Sequence, residues 1–289
     1  MEDTQITIVI PTLHNELSAR SLSMCLDSIK ESCKSKIIVA HNGNNPSPNL
    51  TDDGRTTVFS IPFQQGQWHA LNEAIKWNVA SPWILIINDD MVVSPNWLKE
   101  LMFWVEKQNL LVASPNLVEP RRGAPPFLEH FCGGVGTVGA KPDFDEKCFT
   151  DFVESYSPLE QSSYSGKTPV EDGLNLPILI RKDVWDTIGG ADEQFDPWGS
   201  NGDSDLQYRI MYAGITPKRI KSSLVYHFSQ TSGTFHPDNA KYVQENHKKF
   251  TDKWGVVRAS SPEIWYKPDV DFSKTKFQAE WKGKFENHN

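Results

Sequence analysis

Short β-branched runs alternate with stretches of helical periodicity along the first 118 residues. ITIVIP (Ile6 to Pro11), KIIVAHN (Lys36 to Asn42) and TTVFSIP (Thr56 to Pro62) read as strands. A stretch from about Leu17 to Cys33 reads as a helix, and HALNEAIKWNVA (His69 to Ala80) sets Ala70, Ala74 and Trp77 at helical spacing. WILIIN is a further strand, a helix is expected to open near Ser94 and Pro95 with Ser94 as its cap, and LLVASP (Leu110 to Pro115) is strand-like. Alternation of this kind predicts an α/β fold built from right-handed β-α-β units around a mostly parallel sheet flanked by helices. Ligands on such sheets bind beyond the carboxyl ends of the strands. That rule gathers Thr12, His41, Asn42, Asn88, Asp89 and Asp90 on one edge.

From Glu119 to about Asn175 the pattern dissolves into Gly-, Pro- and Ser-rich sequence, including RRGAPP and CGGVGTVGAKP. A loop region that long inside a compact domain is usually functional or mobile. LNLPILIRKDVW (Leu174 to Trp185) restores a strand and a helix start, followed by a turn at Gly189 and Gly190 and a helix from about Asp203. SSLVYHF (Ser222 to Phe228) is strand-like, and His236 to Trp254 reads as a polar-faced helix. The expected division is residues 1–118, residues 119–260 of the same domain, and a tail over 261–289. The tail's aromatics among lysines read as a strap on the body, with a partner or lipid surface as the alternative.

Charge narrows the partners. With 29 basic against 37 acidic residues the net charge is −8, which gives no broad basic field for a polyanion and makes nucleic acid an unfavoured acceptor. No run of 18 apolar residues spans a membrane, and MEDTQITIVIP lacks a basic region before an apolar signal core, so the expectation is a cytoplasmic protein. Cys25, Cys33, Cys132 and Cys148 show no CxxC pair and no zinc-ligand spacing, so they are expected to be reduced and structural. His130 beside Cys132 is a poor metal corner by the same spacing rules.

The chemistry concentrates where WILIINDDMVVSPNW breaks from apolar to acidic at Asn88, Asp89 and Asp90. Adjacent carboxylates at a strand end repel, and a divalent cation such as Mg²⁺ or Mn²⁺ would relieve that cost, usually with substrate phosphates completing its shell. A solvated loop is the equal alternative on these residues alone.

The series IVIPT, IIVAHNG, GQWHALNEAIKWNVASPWILIINDD and GDSDLQYR resembles, in this order, the nucleotide-sugar glycosyltransferases of family 2, which have the Rossmann-like glycosyltransferase-A fold. The resemblance covers about residues 5 to 235. It implies a metal-dependent enzyme that moves a sugar from a nucleoside diphosphate to a hydroxyl acceptor with inversion, using Mn²⁺ or Mg²⁺. Carried over by position, Asp89 meets the ribose and Asp90 binds the metal. Thr12, His41 and Asn42 surround the base, with Gly66 and Asn88 also on the nucleotide side. Asn88 stands where many relatives carry another aspartate, and His41-Asn42 where they often carry Asp. Asn can still pair with a base edge through both its donor and its acceptor.

The second acidic group is PWGSNGDSDLQYRI (Pro197 to Ile210). Asp203 matches the general base that takes the acceptor's proton, preceded by Gly202 where Glu is commoner. Asp203 and Asp205 lie two apart and cannot share a helix face. Asp205 is expected to favour the helix dipole, with an acceptor contact as its weaker assignment, and Arg209 is either its i+4 partner, the favoured reading, or a phosphate-side contact. His227 completes the metal shell by position and needs an acceptor behind its ring. Trp198 either stacks on an acceptor sugar or packs in the core, and the Ser- and Gly-containing residues after His227 could close over the donor. The acceptor is unspecified, since the unpatterned Glu119 to Asn175 region should shape it. The competing readings are a non-catalytic nucleotide or carbohydrate binder on this scaffold and a sugar nucleotidyltransferase. The latter should carry a glycine-rich loop after the first strand, and PTLHNELSAR has no glycine.

Overall fold

The computed structural model describes residues 3–43, 45–50, 53–61, 65–120, 128–130, 132, 144–156, 169–197, 199–228 and 239–255. The 261–289 tail, Trp198 and the residues just after Phe228 lie outside them.

Four parallel strands build the first half: β1 (Ile6–Thr12), β2 (Lys36–Asn42), β3 (Thr56–Ile61) and β4 (Trp83–Ile86). β1 is buried along its whole length, as a central parallel strand covered on both faces must be. Its side chains alternate between two cores: Val9 packs on one face with Ile84 and Ile86, while Ile6, Ile8 and Ile10 pack on the other with Leu85. Each such aliphatic side chain contributes roughly 1.5–3 kcal/mol by leaving water. Helix α1 (Glu16–Ser32) covers the second face and α2 (Gln67–Asn78) the first. In α2 Ala70 and Ala74 are buried as expected, but Trp77 is 66% exposed, with its indole N–H donating to Glu73. The buried stripe runs instead through Trp68, Leu71 and Ile75.

After β4 the sheet becomes mixed. β5 (Met91–Val93), a strand the sequence pattern did not announce, leads to α3 (Trp97–Lys107). Asn96 rather than Ser94 holds the N-cap position, without a side-chain bond to the helix; Ser94 is buried, its carbonyl accepting from Trp97 N–H and its own N–H donating to the Leu224 carbonyl. β6 (Val112–Glu119), β7 (Leu128–Glu129), β8 (Val170–Asp172), β9 (Ile178–Arg181) and β10 (Lys218–His227) complete ten strands among the described residues; eight follow the order β3-β2-β1-β4-β9-β6-β10-β5, while β7 pairs with β6 and β8 with β10. β9 enters antiparallel between β4 and β6, and β5 and β8 run antiparallel to β10. The Glu119 to Asn175 region is not wholly irregular: α4 (Glu146–Ser155) starts at Asp145, whose carboxylate accepts from Cys148 N–H, and buries Phe149. α5 (Lys182–Ile188), α6 (Gly202–Tyr212) and α7 (Asn239–Trp254) close the first face.

The expectation of four reduced cysteines holds for one pair and fails for the other. Cys132 and Cys148 are joined as a disulfide, whereas Cys25 and Cys33 are thiols buried at α1 and its end. Sequence spacing hid the pair because α4 folds back to bring Cys148 beside Cys132. No helix among the described residues is long and apolar enough to cross a membrane.

Candidate active site

The parallel register sets Thr12 at the end of β1 beside His41 of β2. Thr12 Oγ1 donates to Asp89 Oδ2 at 2.6 Å, and both residues are buried, as is Asp90. Burial, and after it the neighbouring Asp90 charge, raises the Asp89 pKa well above the ordinary carboxylate range, against the opposing pull of the Thr12 hydroxyl. The repulsion expected of adjacent carboxylates is therefore one cause of the shift, second to burial.

β10 delivers the partner to this turn. Its antiparallel register with β5 puts His227 opposite Met91, and Phe228 N–H donates to the Asp90 carbonyl at 3.0 Å. His227 Nε2 lies 3.5 Å from Asp90 Oδ1, and Nδ1 lies 2.9 Å from Glu119 Oε1. Burial disfavours a charged ring, yet Asp90 and Glu119 together overcome it and lift the His227 pKa to about 10. Glu119, at the end of β6, is the acceptor that sequence reasoning required but did not locate; an acid closing a strand at the ligand edge was its signal. By taking the Nδ1 side it directs Nε2 toward Asp90, the arrangement a metal-binding imidazole needs. One carboxylate and one oriented imidazole suit Mn²⁺ chemistry.

A cavity of about 200 Å³ joins both halves of the sequence: Asn88 just past β4, Glu119 and His227 at the ends of β6 and β10, and Asp203 and Gln207 from α6 all line it. Asp203, in the first turn of α6, accepts from Ser204 N–H at 2.8 Å. Gln207, one helical turn further on, is a cavity residue the sequence gave no means to single out. Asp205 points elsewhere, as its spacing demands. It is fully buried, with Oδ2 3.0 Å from Arg209 Nε and Oδ1 2.8 Å from Trp254 Nε1 and 2.7 Å from Lys253 Nζ. The expected Asp205–Arg209 pair is therefore present, and the weaker acceptor assignment of Asp205 is corrected: its carboxylate is sealed against α7.

The residues expected on the nucleotide side divide by what they touch. Asn42 Oδ1 accepts from the N–H groups of Gln65 and Gly66, which fixes the chain as it turns into α2. His41 is buried with Nδ1 against Ser60 Oγ at 3.3 Å; burial and then His14 lower its pKa, favouring the neutral ring. Asn88 is half-buried, and Gln67 Nε2 reaches its Oδ1 at 3.5 Å. Gly66 has φ 134°, and a Cβ there would fall 1.9 Å from Asp196 Cγ, so close packing requires glycine. Gly202 is equally constrained, since a Cβ would lie 2.0 Å from Trp68 Nε1. That contact explains why a glutamate cannot stand before Asp203 in this chain.

Asp196 was not anticipated either. Its carboxylate accepts from the N–H groups of Trp68 and His69 and so caps α2 from a distant part of the chain. Burial pushes its pKa up to about 6, although both amide bonds act to lower it. The proton it retains when folded contributes stability fully below about pH 3.8 and none once the pH has risen through about 6. Urea denaturation between pH 4.5 and 7 should therefore show a fall of about 2 kcal/mol from this group, absent in Asp196→Asn. Equal pH slopes for the two proteins would remove Asp196 as the cause.

Residues 7–130 match the family model described as Glycosyl transferase family 2. Among solved structures, GalNAc-T7, determined with UDP, GalNAc and Mn²⁺, is similar with a TM-score of 0.59 at 16% identity, over 96% of this chain and 55% of that one. S. aureus TarS is similar with a TM-score of 0.51 at 12% identity, over 87% of this chain and 40% of that one. The chain thus corresponds to about half the length of these proteins or less. No curated protein sequence matches it. The fold is of the glycosyltransferase-A type, a mixed α/β sheet flanked by helices.

Proposed function

We propose that this chain, which carries a glycosyl transferase family 2 domain on a glycosyltransferase-A fold, moves a sugar from a nucleoside diphosphate to a hydroxyl acceptor with inversion. The observation that carries the reading is the convergence of Asn88, Glu119, His227 and Asp203 on one cavity beside the buried Asp89–Asp90 turn. Residues 1–118 hold the nucleotide and residues 119–260 the acceptor. Asp89 receives the ribose, with Thr12 holding its carboxylate in place. His41 and Asn42 bound the base pocket through the backbone they fix rather than by direct pairing, since both are buried and turned to Ser60, Gln65 and Gly66.

Asp90 and His227 would hold Mn²⁺ or Mg²⁺, which supplies Lewis-acid stabilisation of the departing diphosphate. Electrostatics support the need for it. Asp203, Glu119 and Asp90 outnumber His227 around the cavity, and none of its described lining residues is Lys or Arg. Asp203 takes the proton of the acceptor hydroxyl as that oxygen attacks the anomeric carbon from the face opposite the nucleotide, so a single displacement inverts the centre. Gln207 and Asn175 offer the acceptor neutral hydrogen-bonding groups, beside the apolar Leu174 and Leu176. A cytoplasmic location belongs to the same reading, with Cys132 and Cys148 then held as thiols by the cytosolic reductant pool.

Calorimetry with UDP, GDP and dTDP, each with and without Mn²⁺, tests the donor side. One diphosphate should bind in the micromolar range, at least about tenfold more tightly with the cation. The absence of binding by all three would sink the nucleotide-sugar reading.

A further inference from the structure

A second group of metal-ligating side chains lies apart from the Asp90–His227 turn. His130 Nε2, Cys132 Sγ and Cys148 Sγ all lie within 4.8 Å of one another. We propose that the reduced chain binds one Zn²⁺ on these three residues, and that the disulfide is the oxidised, metal-free state of the same site.

Three observations carry this. His130 Nε2 is 3.6 Å from Cys148 Sγ. With bonds of about 2.3 Å to sulfur and about 2.0–2.1 Å to nitrogen, the N···S edge of a tetrahedral zinc site is roughly 3.6 Å. One edge is therefore already formed. The backbone also holds all three donors without help from the sulfur–sulfur bond. His130 N–H donates to the Glu119 carbonyl at 3.0 Å, Cys132 N–H to Tyr226 Oη at 3.2 Å, and Cys148 N–H to Asp145 Oδ1 at 2.9 Å. Finally, the His130 ring stacks on Phe152 with centroids 4.3 Å apart and an interplanar angle of 19°, which restrains the plane in which Nε2 lies.

The donor set selects the ion. Two thiolates and an imidazole favour Zn²⁺ over the Mg²⁺ or Mn²⁺ suited to a carboxylate-containing site. Among the described residues the cluster offers three donors, so water takes the fourth position, reached past the half-buried His130 and Cys148. Opening the site is a balanced exchange. The Cys132–Cys148 bond takes up two electrons and two protons from two thiols of the reducing pool, which leave joined as a disulfide. Zn²⁺ then displaces the two new thiol protons and binds both thiolates. The ion clamps the segment after β7 to α4, and through the His130–Glu119 backbone bond it steadies the strand end whose carboxylate holds His227. The proposal does not rest on the glycosyl-transfer reading.

Titration of the full chain with Co²⁺ as a spectroscopic stand-in tests it, after reduction with a phosphine and removal of the excess. The reduced wild type should develop the near-ultraviolet thiolate-to-cobalt absorption, saturating at about one equivalent and bleached by Zn²⁺. The oxidised wild type should not. Cys132→Ser and Cys148→Ser should abolish the band, and His130→Ala should weaken Co²⁺ binding at least about tenfold. A reduced wild type without the band overturns the proposal whatever the variants do. So does a full band in the Cys132→Ser/Cys148→Ser double variant, which would assign it to Cys25 and Cys33, or unchanged affinity in His130→Ala, which would remove the imidazole as a ligand.

Discussion

Asp203→Asn is expected to lower sugar transfer by about 10²- to 10⁴-fold, the contribution of a positioned general base. The substitution keeps the side chain's shape and an oxygen able to accept the Ser204 N–H, so α6 should start as before. What disappears is the basicity. Nucleoside diphosphate affinity, assigned in the proposed reading to the Asp89–Asp90 turn and His227, should stay within about a factor of two. The diagnostic result is this split between turnover and binding. Wild-type turnover in Asp203→Asn with unchanged donor affinity would remove the residue from catalysis, and a parallel loss of both would make it a binding group instead.

The second large effect concerns stability. Asp205→Ala is expected to cost about 3–5 kcal/mol, the usual penalty for removing one member of a buried ionic group. It leaves Arg209, 3% exposed, and Lys253, 13% exposed, without their shared carboxylate, and it strips Trp254 Nε1 of its acceptor. Arg209 also donates to the carbonyls of Ile188 and Gly190 at the end of α5, so the loss should spread through the face formed by α5, α6 and α7. Against a typical stability of roughly 5–15 kcal/mol this is a large share. Equilibrium unfolding in urea measures it. A change below about 1 kcal/mol would show that the group is not the buried anchor its geometry describes. The two aspartates, separated by a single serine, thus fail in opposite ways when replaced, one through chemistry and the other through folding.

The first half of the fold was legible because its rules are local. β-branched runs such as ITIVIP and KIIVAHN admit little besides buried parallel strands, and their alternation with amphipathic helices fixes the handedness of the connections. The edge grouping of Thr12, Asn88, Asp89 and Asp90 followed from that alone. In the second half, antiparallel β9 between β4 and β6, and β5 on β10, depend on pairings between residues about 65 to 135 positions apart, which no local pattern encodes. α4 is hidden in the sequence although Asp145 caps it and Phe149, Phe152 and Val153 form its apolar stripe, because the surrounding Gly, Pro and Ser residues mask the periodicity. Trp77 misled in the opposite direction, since helical spacing places a residue on a face but does not say how far the covering sheet extends.

By itself the sequence determined the strand–helix alternation, the acidic break after β4, the two-residue offset that forbids Asp203 and Asp205 a common face, and the need for an acceptor behind His227. Only the tertiary structure decided that this acceptor is Glu119, that Gly66 and Gly202 are glycines because Asp196 and Trp68 occupy the space a Cβ would take, and that Cys132 meets Cys148. The physical reason is the same in each case. Residue chemistry and periodicity are properties of a short stretch of chain, whereas the partner that fixes a charge, fills a void or closes a sulfur pair arrives from another part of the chain once the sheet has set the register.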